Sequence, residues 1–485
     1  MNKSSNNIFF KNSYADELQS LCERCFPSPF EKSKVLLKNY ELAEELGINK
    51  SFLDSKQCLD IFSGCAISNS SIPIAQAYSG HQYGNFNPNM GDGRAILLGE
   101  INNRDIQLKG SGQTPFSKNG DGKSALGPVL REYLISEFMN SINIPTTRSL
   151  LAIKSNETVY REKEIPGGIL TRVAKSHIRI GTFEYVYNFK PESLKLLADY
   201  TLKRHYPELS NVNNKYLSLF AAICDKQSYL ISKWMSIGFV HGVMNTDNMT
   251  VSGETIDYGP CAFMDRYDPN IYYSSIDKYG RYSYKNQPAI LIWNLTKLAE
   301  TFIPLVNENI DKAVKDLSEV LNLAMPTYEE YFYTEMSIKL GIKDVNEKII
   351  RLIDKYLDIL KTENIDYTIS FRDLSMIHSN KIKVSESIFK RVKVFDKWYE
   401  DFSNTVNIKN VPKDIVSEHM DGYNPCYIPR NYIIENALKE AINGNMSEIE
   451  IMSEYLKMPY KKQKIDSRYY FSSDYNQPYT TFCGT

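Results

Sequence analysis

The chain has 485 residues, with 57 Lys and Arg against 58 Asp and Glu and a formal net charge of -1. This length favours two or more lobes, and the charge balance excludes a nucleic-acid binder held by bulk positive charge. Hydrophobic residues make up 42% of the sequence. No apolar run approaches the ~20 residues of a spanning helix, so neither a nucleic-acid nor a membrane partner is expected.

The predicted elements divide into a sheet-rich part and a mainly helical part. Short apolar runs between Gly-rich turns predict four strands, at 95–98, 106–108, 151–153 and 169–173. Pro128 opens a helix whose apolar residues recur at helical spacing as far as Ile142. Later helices are expected over 193–205, 216–237, 290–302, 346–360 and 432–442. We therefore predict an α+β fold with a small sheet-rich N-lobe and a larger, mainly helical C-lobe.

The texture of the sequence suggests four divisions. They are an N-terminal extension (1–75), a nucleotide-binding N-lobe (76–190), a C-lobe core with the catalytic and metal loops (191–310), and a helical C-terminal extension (311–485). Separately, a Gly-, Asp-, Asn- and Arg-rich composition gives way to long helical patterns after Asn286, and this change indicates a lobe boundary.

A glycine turn, a strand lysine and a helix glutamate form the first chemical pattern. Gly91, Gly93 and Arg94 precede the first predicted strand, and Lys109 ends the second. Backbone amides in such a turn can approach phosphates closely, although an ordinary tight turn also explains the glycines. Glu132 lies near the start of the first long helix, where kinase-like folds place the glutamate that orients a phosphate-binding lysine. A surface ion pair is the alternative.

Two further elements suit a phosphate site. Asp121 and Gly122 lie in the polar run 119–123, which fits a phosphate-cradling loop and a hairpin turn equally well. Arg172 lies in an apolar strand, where a permanent charge is costly unless it meets an anion. A bound phosphate and a structural ion pair to Asp or Glu would both meet that need. Arg179 follows shortly and makes this a pair of cations.

The most informative pattern runs from His241 to Asn248 and continues to Asp257 in Asp-Tyr-Gly. Kinase-like catalytic loops carry a base Asp two residues after the His, a metal-binding Asn five residues further on, and another metal ligand in a D-F-G-like turn. Asn248 and Asp257 occupy the two metal positions and offer oxygen ligands suited to Mg²⁺. Val243 occupies the base position and cannot take a proton. Either phosphotransfer has been lost, or Asp247 is the base of another reaction.

Several blocks of this sequence resemble the selenoprotein O family, and together they cover most of the chain. The long blocks are YSGHQYGNF (78–86), GDGRA (91–95), QLKGSG (107–112), NGDG (119–122), LREYL (130–134), VHGVMNTDNM (240–249) and DYGPC (257–261). Shorter ones occur at 286–288, 293–294, 424–425 and 430–431.

The resemblance implies a pseudokinase with a protein-kinase-like two-lobed fold. It implies transfer of AMP from ATP to Ser, Thr or Tyr hydroxyls of proteins, with Mg²⁺ or alternatively Mn²⁺, and with the ATP flipped relative to kinases. Asn248 and Asp257 would then bind the metal, and Asp247 would be the base. Glu132 would orient Lys109. The nucleotide would be bound by Gly91, Gly93, Arg94, Lys109, Asp121, Gly122, Arg172, Arg179 and Asp257.

Three other functions stay open at this point. The same residues could transfer UMP from UTP, with Mn²⁺ preferred, because metal-bound phosphates look alike whatever the base. A phosphotransferase fits the general pattern, but Val243 argues against it. A non-catalytic nucleotide-binding module explains the missing base but leaves Asn248 and Asp257 without a purpose.

Cysteine usage bears on location and on redox control. Eight cysteines are too dilute for a disulfide scaffold, and the N-terminal residues lack a secretory signal, so a cytoplasmic location is expected, with a mitochondrial one left open. The family is similar in carrying Cys or selenocysteine close to its C-terminus, linked to redox control. The resemblance therefore suggests a reversible disulfide between Cys483 and Cys261, which lies beside the Asp-Tyr-Gly turn.

Overall fold

Antiparallel strands dominate the first part of the chain in a computed structural model that describes residues 8–161, 164–406, 411–471 and 479–481. The strands are β1 (Cys22–Arg24), β2 (Lys34–Lys38), β3 (Ile74–Gln76), β4 (Gly80–Gln82), β5 (Asn85–Asn87), β6 (Ala95–Ile101), β7 (Arg104–Lys109), β8 (Ser124–Ala125), β9 (Arg148–Tyr160), β10 (Glu164–Ala174), β11 (Phe239–Val240) and β12 (Ala262–Phe263). The main sheet has the order β1-β3-β6-β7-β10-β9-β2, and β8 pairs with β10. Two small antiparallel pairs, β4–β5 and β11–β12, lie outside it.

Helices dominate the remainder of the described chain. Five precede residue 142, namely α1 (Ser13–Glu17), α2 (Tyr40–Glu45), α3 (Lys50–Leu53), α4 (Lys56–Phe62) and α5 (Leu126–Ser141). The others are α6 (Ile180–Phe189), α7 (Leu194–His205), α8 (Lys215–Ser236), α9 (Gln287–Val306), α10 (Ile310–Lys339), α11 (Glu347–Thr362), α12 (Tyr367–His378), α13 (Lys393–Val406), α14 (Lys413–Tyr423), α15 (Asn431–Ile442) and α16 (Ser447–Tyr455).

The two faces of the main sheet pack against different layers. Ile96 and Leu108 belong to an apolar cluster with Phe52 of α3, whereas Leu97 belongs to a second cluster with Leu130 of α5. Neighbouring residues of a strand point to opposite faces, so one side of the sheet is closed by the short helices α2–α4 and the other by α5.

The register of β7 and β10 brings three polar side chains to the α5 face. Gln107 lies opposite Arg172, and Lys109 lies opposite Leu170. Residues directly opposite each other project from the same face, as do residues two apart along a strand. Lys109, Gln107 and Arg172 therefore face the helix that carries Glu132.

The expected α+β fold is confirmed, with an antiparallel sheet region before a mostly helical remainder. The predicted strands fall within β6, β7, β9 and β10, and the predicted helices agree with α5, α7, α8, α9, α11 and α15 to within a few residues. Helix α6 was not anticipated, because Gly181 and Asn188 interrupt its apolar pattern. Helix α10 is also missing from the predicted helices. Pro326 lies inside it, and few of its residues are buried, so its apolar pattern is weak. The four sequence divisions stay a prediction, and β1, β2 and β3 of the first division belong to the main sheet.

One helical stretch, 284–306, is long and apolar enough to cross a membrane by length and composition alone. The stretch contains few charged residues, but polar residues such as Asn294 and Thr296 interrupt it, so it is not an uninterrupted apolar run. Half of its most apolar window is buried inside the protein, and the helix packs against α6, α8 and α10. A core helix passes the same test as a membrane span, so this feature needs no membrane to explain it.

Candidate active site

A cavity of about 430 Å³ lies between the main sheet and the loop that follows β11. It brings together eight of the residues singled out in the sequence, which are Gly93, Arg94, Lys109, Arg172, Arg179, Asp247, Asn248 and Asp257. Val243, at the position where a kinase-like loop has its base, lines the same cavity. The cavity volume is within the range of small-molecule sites.

Lys109 links the sheet to the Asp-Tyr-Gly turn. Its Nζ lies 2.6 Å from Glu132 Oε2 and also contacts the carboxylate of Asp257. Burial alone would raise the pKa of the Glu132 carboxyl, but Arg172 and Lys109 outweigh it and lower that pKa. Glu132 is therefore a carboxylate that fixes Lys109 at the cavity wall.

Arg172 is buried on β10 and shares Glu132 with Lys109. Its guanidinium donates from Nε to Glu132 Oε1 at 2.7 Å and from NH1 to Gln107 Oε1 at 3.3 Å. Its NH2 lies 3.6 Å from Asp257 Oδ1. The ion pair with an acidic residue, one of the two alternatives for Arg172, is thus present, and it stands on the wall of the cavity.

Arg179 connects the sheet region to Asp247. Its NH1 donates to the Asp247 carbonyl oxygen at 2.9 Å, its NH2 lies 3.4 Å from Asp92 Oδ1, and its guanidinium carbon is 4.3 Å from the ring centroid of Tyr78. Asp92 Oδ2 also accepts a hydrogen bond from Gln107 Nε2 at 3.1 Å. Burial raises the pKa of the Asp92 carboxyl, although Arg179 opposes this effect.

The loop that carries Asp247 is held by a buried, neutral histidine. His241 stacks on Trp234 with ring centroids 5.1 Å apart, and burial lowers its pKa. Its Nε2 donates to the Ile256 carbonyl oxygen at 2.9 Å, directly before Asp257. Its backbone N–H donates to Gln287 Oε1 at 3.0 Å. His241 therefore ties the loop to the Asp-Tyr-Gly turn instead of reacting with a substrate.

Asp247 lies in a tightly packed, buried position at the cavity. Its side chain is buried, and its Oδ1 accepts no hydrogen bond within the described residues. Burial raises the pKa of the carboxyl to about 7 against the opposing charge of Arg179. A methyl group at Gly80 would come within 2.5 Å of Asp247 Oδ1, and one at Gly181 within 3.3 Å of Asp247 Cα. Gly80 therefore makes room for this carboxylate, and Gly181 makes room for the backbone of Ser79 and Asp247.

Asn248 and Asp257 supply the two oxygen groups expected of a cation site. Asn248 Nδ2 donates to the Val243 carbonyl oxygen at 3.1 Å, which leaves its amide oxygen available. Asp257 has a left-handed backbone with φ of 66°. Burial alone would raise the pKa of its carboxyl, but Lys109 and other cations hold that pKa well below its usual range. Among the described residues, no three His, Cys, Asp or Glu side chains form a metal-binding group by themselves.

Three of the residues predicted to bind the nucleotide lie away from the cavity surface. Gly91 has φ of 90° and packs against the ring of Phe116. Asp121 accepts from Arg161 NH1 at 2.9 Å, and Gly122, with φ of 66°, lies against the backbone of the 110–123 loop. None of the three is among the cavity's lining residues in this arrangement of the loop.

Several residues of the site carry no recognisable chemical signal in the sequence. Glu184 on α6 binds His81 Nδ1 and the hydroxyl of Thr246, and the backbone N–H of His81 donates to that hydroxyl at 2.7 Å. This network supports the residue directly before Asp247. The block YSGHQYGNF contains Gly80 and His81, so its likeness to a family was the one available signal for them.

Cys261 lies behind the site and is fully buried. Its Sγ contacts the Tyr258 carbonyl oxygen at 3.3 Å, and burial raises the pKa of the thiol to about 12. Thr481 Oγ1 donates to the carbonyl oxygen of Pro260 at 2.8 Å, and Ser275 N–H donates to the Thr481 carbonyl at 3.0 Å. Cys483 itself lies outside the described residues.

Comparison with known proteins accounts for nearly the whole chain. A family model described as protein adenylyltransferase SelO matches residues 5–457. A protein nucleotidyltransferase YdiU of Anoxybacillus flavithermus is 44% identical over 484 residues, covering 98% of this chain and 99% of the relative. One of the same name from Clostridium botulinum is 46% identical over 484 residues, covering 98% and 97%. This chain belongs to the SelO family and is a nucleotidyltransferase.

Proposed function

We propose that this protein is an adenylyltransferase that moves AMP from ATP to Ser, Thr or Tyr hydroxyls of proteins. The observation that carries the proposal is a single cavity that combines four cationic side chains with the carboxylate of Asp247. The cations suit a triphosphate, and the carboxylate suits an incoming hydroxyl. The matching family is described as protein adenylyltransferase SelO, which supports the same activity.

The proposed arrangement is that of a kinase-like fold with the nucleotide reversed. Lys109, held by Glu132, would bind the phosphate nearest the reaction, and the two buried arginines would bind the distal phosphates. Arg172 and Arg179 are rigidly held donors, so they lose little freedom when they bind an anion. The α-phosphate would then face Asp247. Gly91, Asp121 and Gly122 would reach the nucleotide through a movement of their loops.

In the proposed step the acceptor oxygen bonds to the α-phosphorus. The bond from that phosphorus to the oxygen bridging toward the β-phosphorus breaks, and pyrophosphate leaves. The hydroxyl proton passes to Asp247, whose Oδ1 is without a hydrogen bond in the described structure. Arg172 and Arg179 would stabilise the charge that builds up on the leaving pyrophosphate.

The residues present fit a Mg²⁺ ion, with Mn²⁺ as an alternative. Asn248 offers its amide oxygen, because its amide nitrogen is engaged by Val243. Asp257 is held as a carboxylate by its cationic neighbours. Two protein oxygens plus substrate phosphates are a usual Mg²⁺ environment. When bound, the ion would offset phosphate charge and polarise the phosphoryl group.

Labelled nucleotides test the reaction class. The protein is incubated with Mg²⁺ and ATP labelled at either the α- or the γ-phosphate, with itself and a mixed protein extract as acceptors. We expect protein-bound label from α-labelled ATP only. Label from the γ-position alone would identify a kinase, and label from neither would identify a nucleotide-binding module. Either result would contradict the proposal.

Uridylyl transfer is the second candidate, because the relatives are named protein nucleotidyltransferases, a name that specifies no base. The phosphate-binding residues described above make no distinction between ATP and UTP. Competition between unlabelled UTP and α-labelled ATP, in Mg²⁺ and in Mn²⁺, separates the two. Preferential loss of label with UTP would assign the protein to UMP transfer.

We also propose that Cys261 and Cys483 form a reversible disulfide. The contact between Thr481 and Pro260 supports this pairing, because each residue lies close in sequence to one of the two cysteines. An oxidised thiol compound would accept the two electrons as two thiols become one disulfide. Alkylation of Cys483 after complete oxidation, detected by mass spectrometry, would contradict the pairing. The expected cytoplasmic location stays a prediction.

A further inference from the structure

Two segments form an exposed rim at the mouth of the active-site cavity. The first is the β4–β5 hairpin, residues 80–87, and the second is the segment 271–285; we call them together the rim. Tyr83 and Tyr282 join them, with ring centroids 5.1 Å apart and the Tyr83 N–H donating to Tyr282 Oη at 3.2 Å. Tyr83 and Ile276 also line the cavity, so the rim is continuous with the catalytic site.

The rim exposes large apolar side chains. Tyr279 is 97% exposed, Ile276 55%, Tyr272 44% and Phe86 38%. Isolated exposed apolar residues are normal on protein surfaces, but four at the entrance to one cavity are characteristic of a binding surface. Aromatic residues are also enriched where proteins contact each other.

Internal hydrogen bonds hold the second segment of the rim in place. The carboxylate of Asp277 accepts the backbone N–H groups of Arg281 and Tyr282, each at 2.8 Å. Tyr284 N–H donates to the Ile271 carbonyl oxygen, and Lys285 N–H to that of Pro269, each at 2.9 Å. The exposed rings are therefore presented by an ordered loop, which lowers the entropy cost of binding a partner.

The charge of the rim is positive. Lys278 and Lys285 are exposed, and Arg281 lies half-buried with its guanidinium carbon 4.9 Å from the ring centroid of Trp293. None of these three cations forms a salt bridge within the described residues. The carboxylate of Asp277, the acidic residue of this segment, accepts backbone hydrogen bonds. The rim therefore presents exposed apolar side chains together with three cations that have no salt-bridge partner in the described part of the chain.

We propose that the rim binds the acceptor polypeptide and selects hydroxyl residues that have an aromatic or large aliphatic neighbour and an acidic neighbour. This inference rests on the proposed function, because it assigns the occupant of the cavity mouth as the protein that receives the nucleotide. Apolar side chains of the acceptor pack on Tyr272 and Tyr279. Its carboxylates pair with Lys278 and Lys285, which guides encounter and excludes basic segments.

Fluorescent peptides test the rim without requiring catalysis. The reference peptide carries one Thr with Phe and Glu on both sides, and three others replace Phe by Ala, Glu by Lys, or both. Fluorescence anisotropy with the full chain gives each Kd. We expect the reference peptide to bind about tenfold more tightly than the Lys peptide, and several-fold more tightly than the Ala peptide.

Two rim variants and two matched controls identify the surface. Tyr272→Ser with Tyr279→Ser should weaken the reference peptide at least fivefold and remove the preference for Phe. Lys278→Glu with Lys285→Glu should reverse the preference for Glu over Lys. The controls are Tyr160→Ser, an exposed tyrosine on β9, and Lys343→Glu, an exposed lysine between α10 and α11. The controls should bind all four peptides like the unaltered protein.

The outcomes separate the rim from the proposed function. Equal binding of the four peptides, or equal losses of affinity in the rim and control variants, would contradict the proposal that the rim binds the acceptor. A dimer in sedimentation that disappears in the tyrosine variant, without peptide binding, would make the rim a self-association surface and also overturn it. Selective binding without transfer of α-label to the peptides would keep the rim and count against adenylyl transfer. With transfer, the rim variants should change KM for the peptide more than kcat.

Discussion

The two walls of the active-site cavity differ in how their charges are satisfied. On the sheet wall, Lys109 and Arg172 share Glu132 and both approach Asp257, so each of these four charges has an opposite charge beside it. On the loop wall, Asp247 is buried with one oxygen that lacks a hydrogen bond in the described structure. In the proposed reaction, the sheet wall binds the nucleotide and the loop wall supplies the base.

The pKa directions of the acidic groups follow the same division. Nearby cations outweigh burial at Glu132 and Asp257 and lower their pKa values. At Asp247 burial outweighs the single nearby arginine and raises the pKa to about 7. A carboxyl near its own pKa at neutral pH can accept a proton, whereas one held far below cannot do so readily. Four substitutions test this contrast, ordered from the largest expected effect.

Asp257→Ala should abolish transfer, with a loss of at least about 10³-fold in kcat. It removes the proposed charged metal ligand and also the partner of Lys109. Transfer from α-labelled ATP gives the rate, and Asp396→Asn, an exposed carboxylate on α13, serves as the control. Activity within tenfold of the unaltered protein would show that the turn does not hold the metal.

Asp247→Asn should lower kcat by about 10²–10⁴-fold, because the hydroxyl loses its proton acceptor. The KM for ATP should change little, since the phosphates are bound elsewhere. The same substitution removes a buried charge and should raise the free energy of unfolding by about 1 kcal/mol. Denaturant unfolding measures that gain. Unaltered turnover would remove Asp247 as the base.

Arg172→Met should act in the opposite direction on stability. It leaves Glu132 buried with one cation fewer, and breaking a buried pair costs about 3–5 kcal/mol. The KM for ATP should also rise, by about tenfold or more, because a phosphate-binding donor is lost. A variant as stable as the unaltered protein would show that the sheet wall does not depend on charge pairing.

Gly80→Ala should give the smallest effect, about a tenfold fall in kcat with an unchanged KM for ATP. The added methyl group would lie 2.5 Å from Asp247 Oδ1 and must displace it. Gly422→Ala on α14 is the matched control, because a methyl group there meets nothing within 4 Å. Full activity of the Gly80 variant would mean that Asp247 tolerates displacement.

Sequence reasoning anticipates local features of this molecule better than its long-range contacts. Lys109 and Glu132 can be expected to pair, because Lys109 lies at the end of a strand and Glu132 lies near the start of the long helix that follows it. In kinase-like folds this strand and helix pack together. The proximity of Gly80 to Asp247 has no such local basis, since they are 167 positions apart in the sequence. The hairpin meets the loop through tertiary contacts with α6 and with the loop itself. The ion pair between Arg179 and Asp92 cannot be predicted from the sequence either, because it depends on the directions of two side chains from distant segments.

The contact between Thr481 and the segment behind Asp257 has a consequence for biosynthesis. Thr481 is separated from Pro260 by 221 positions along the chain. Domains assemble from the N-terminal end while the ribosome is still adding residues. The segment 260–275 therefore gains this support only after codon 481 has been translated, so a shorter nascent chain holds this segment without the contact that Thr481 provides.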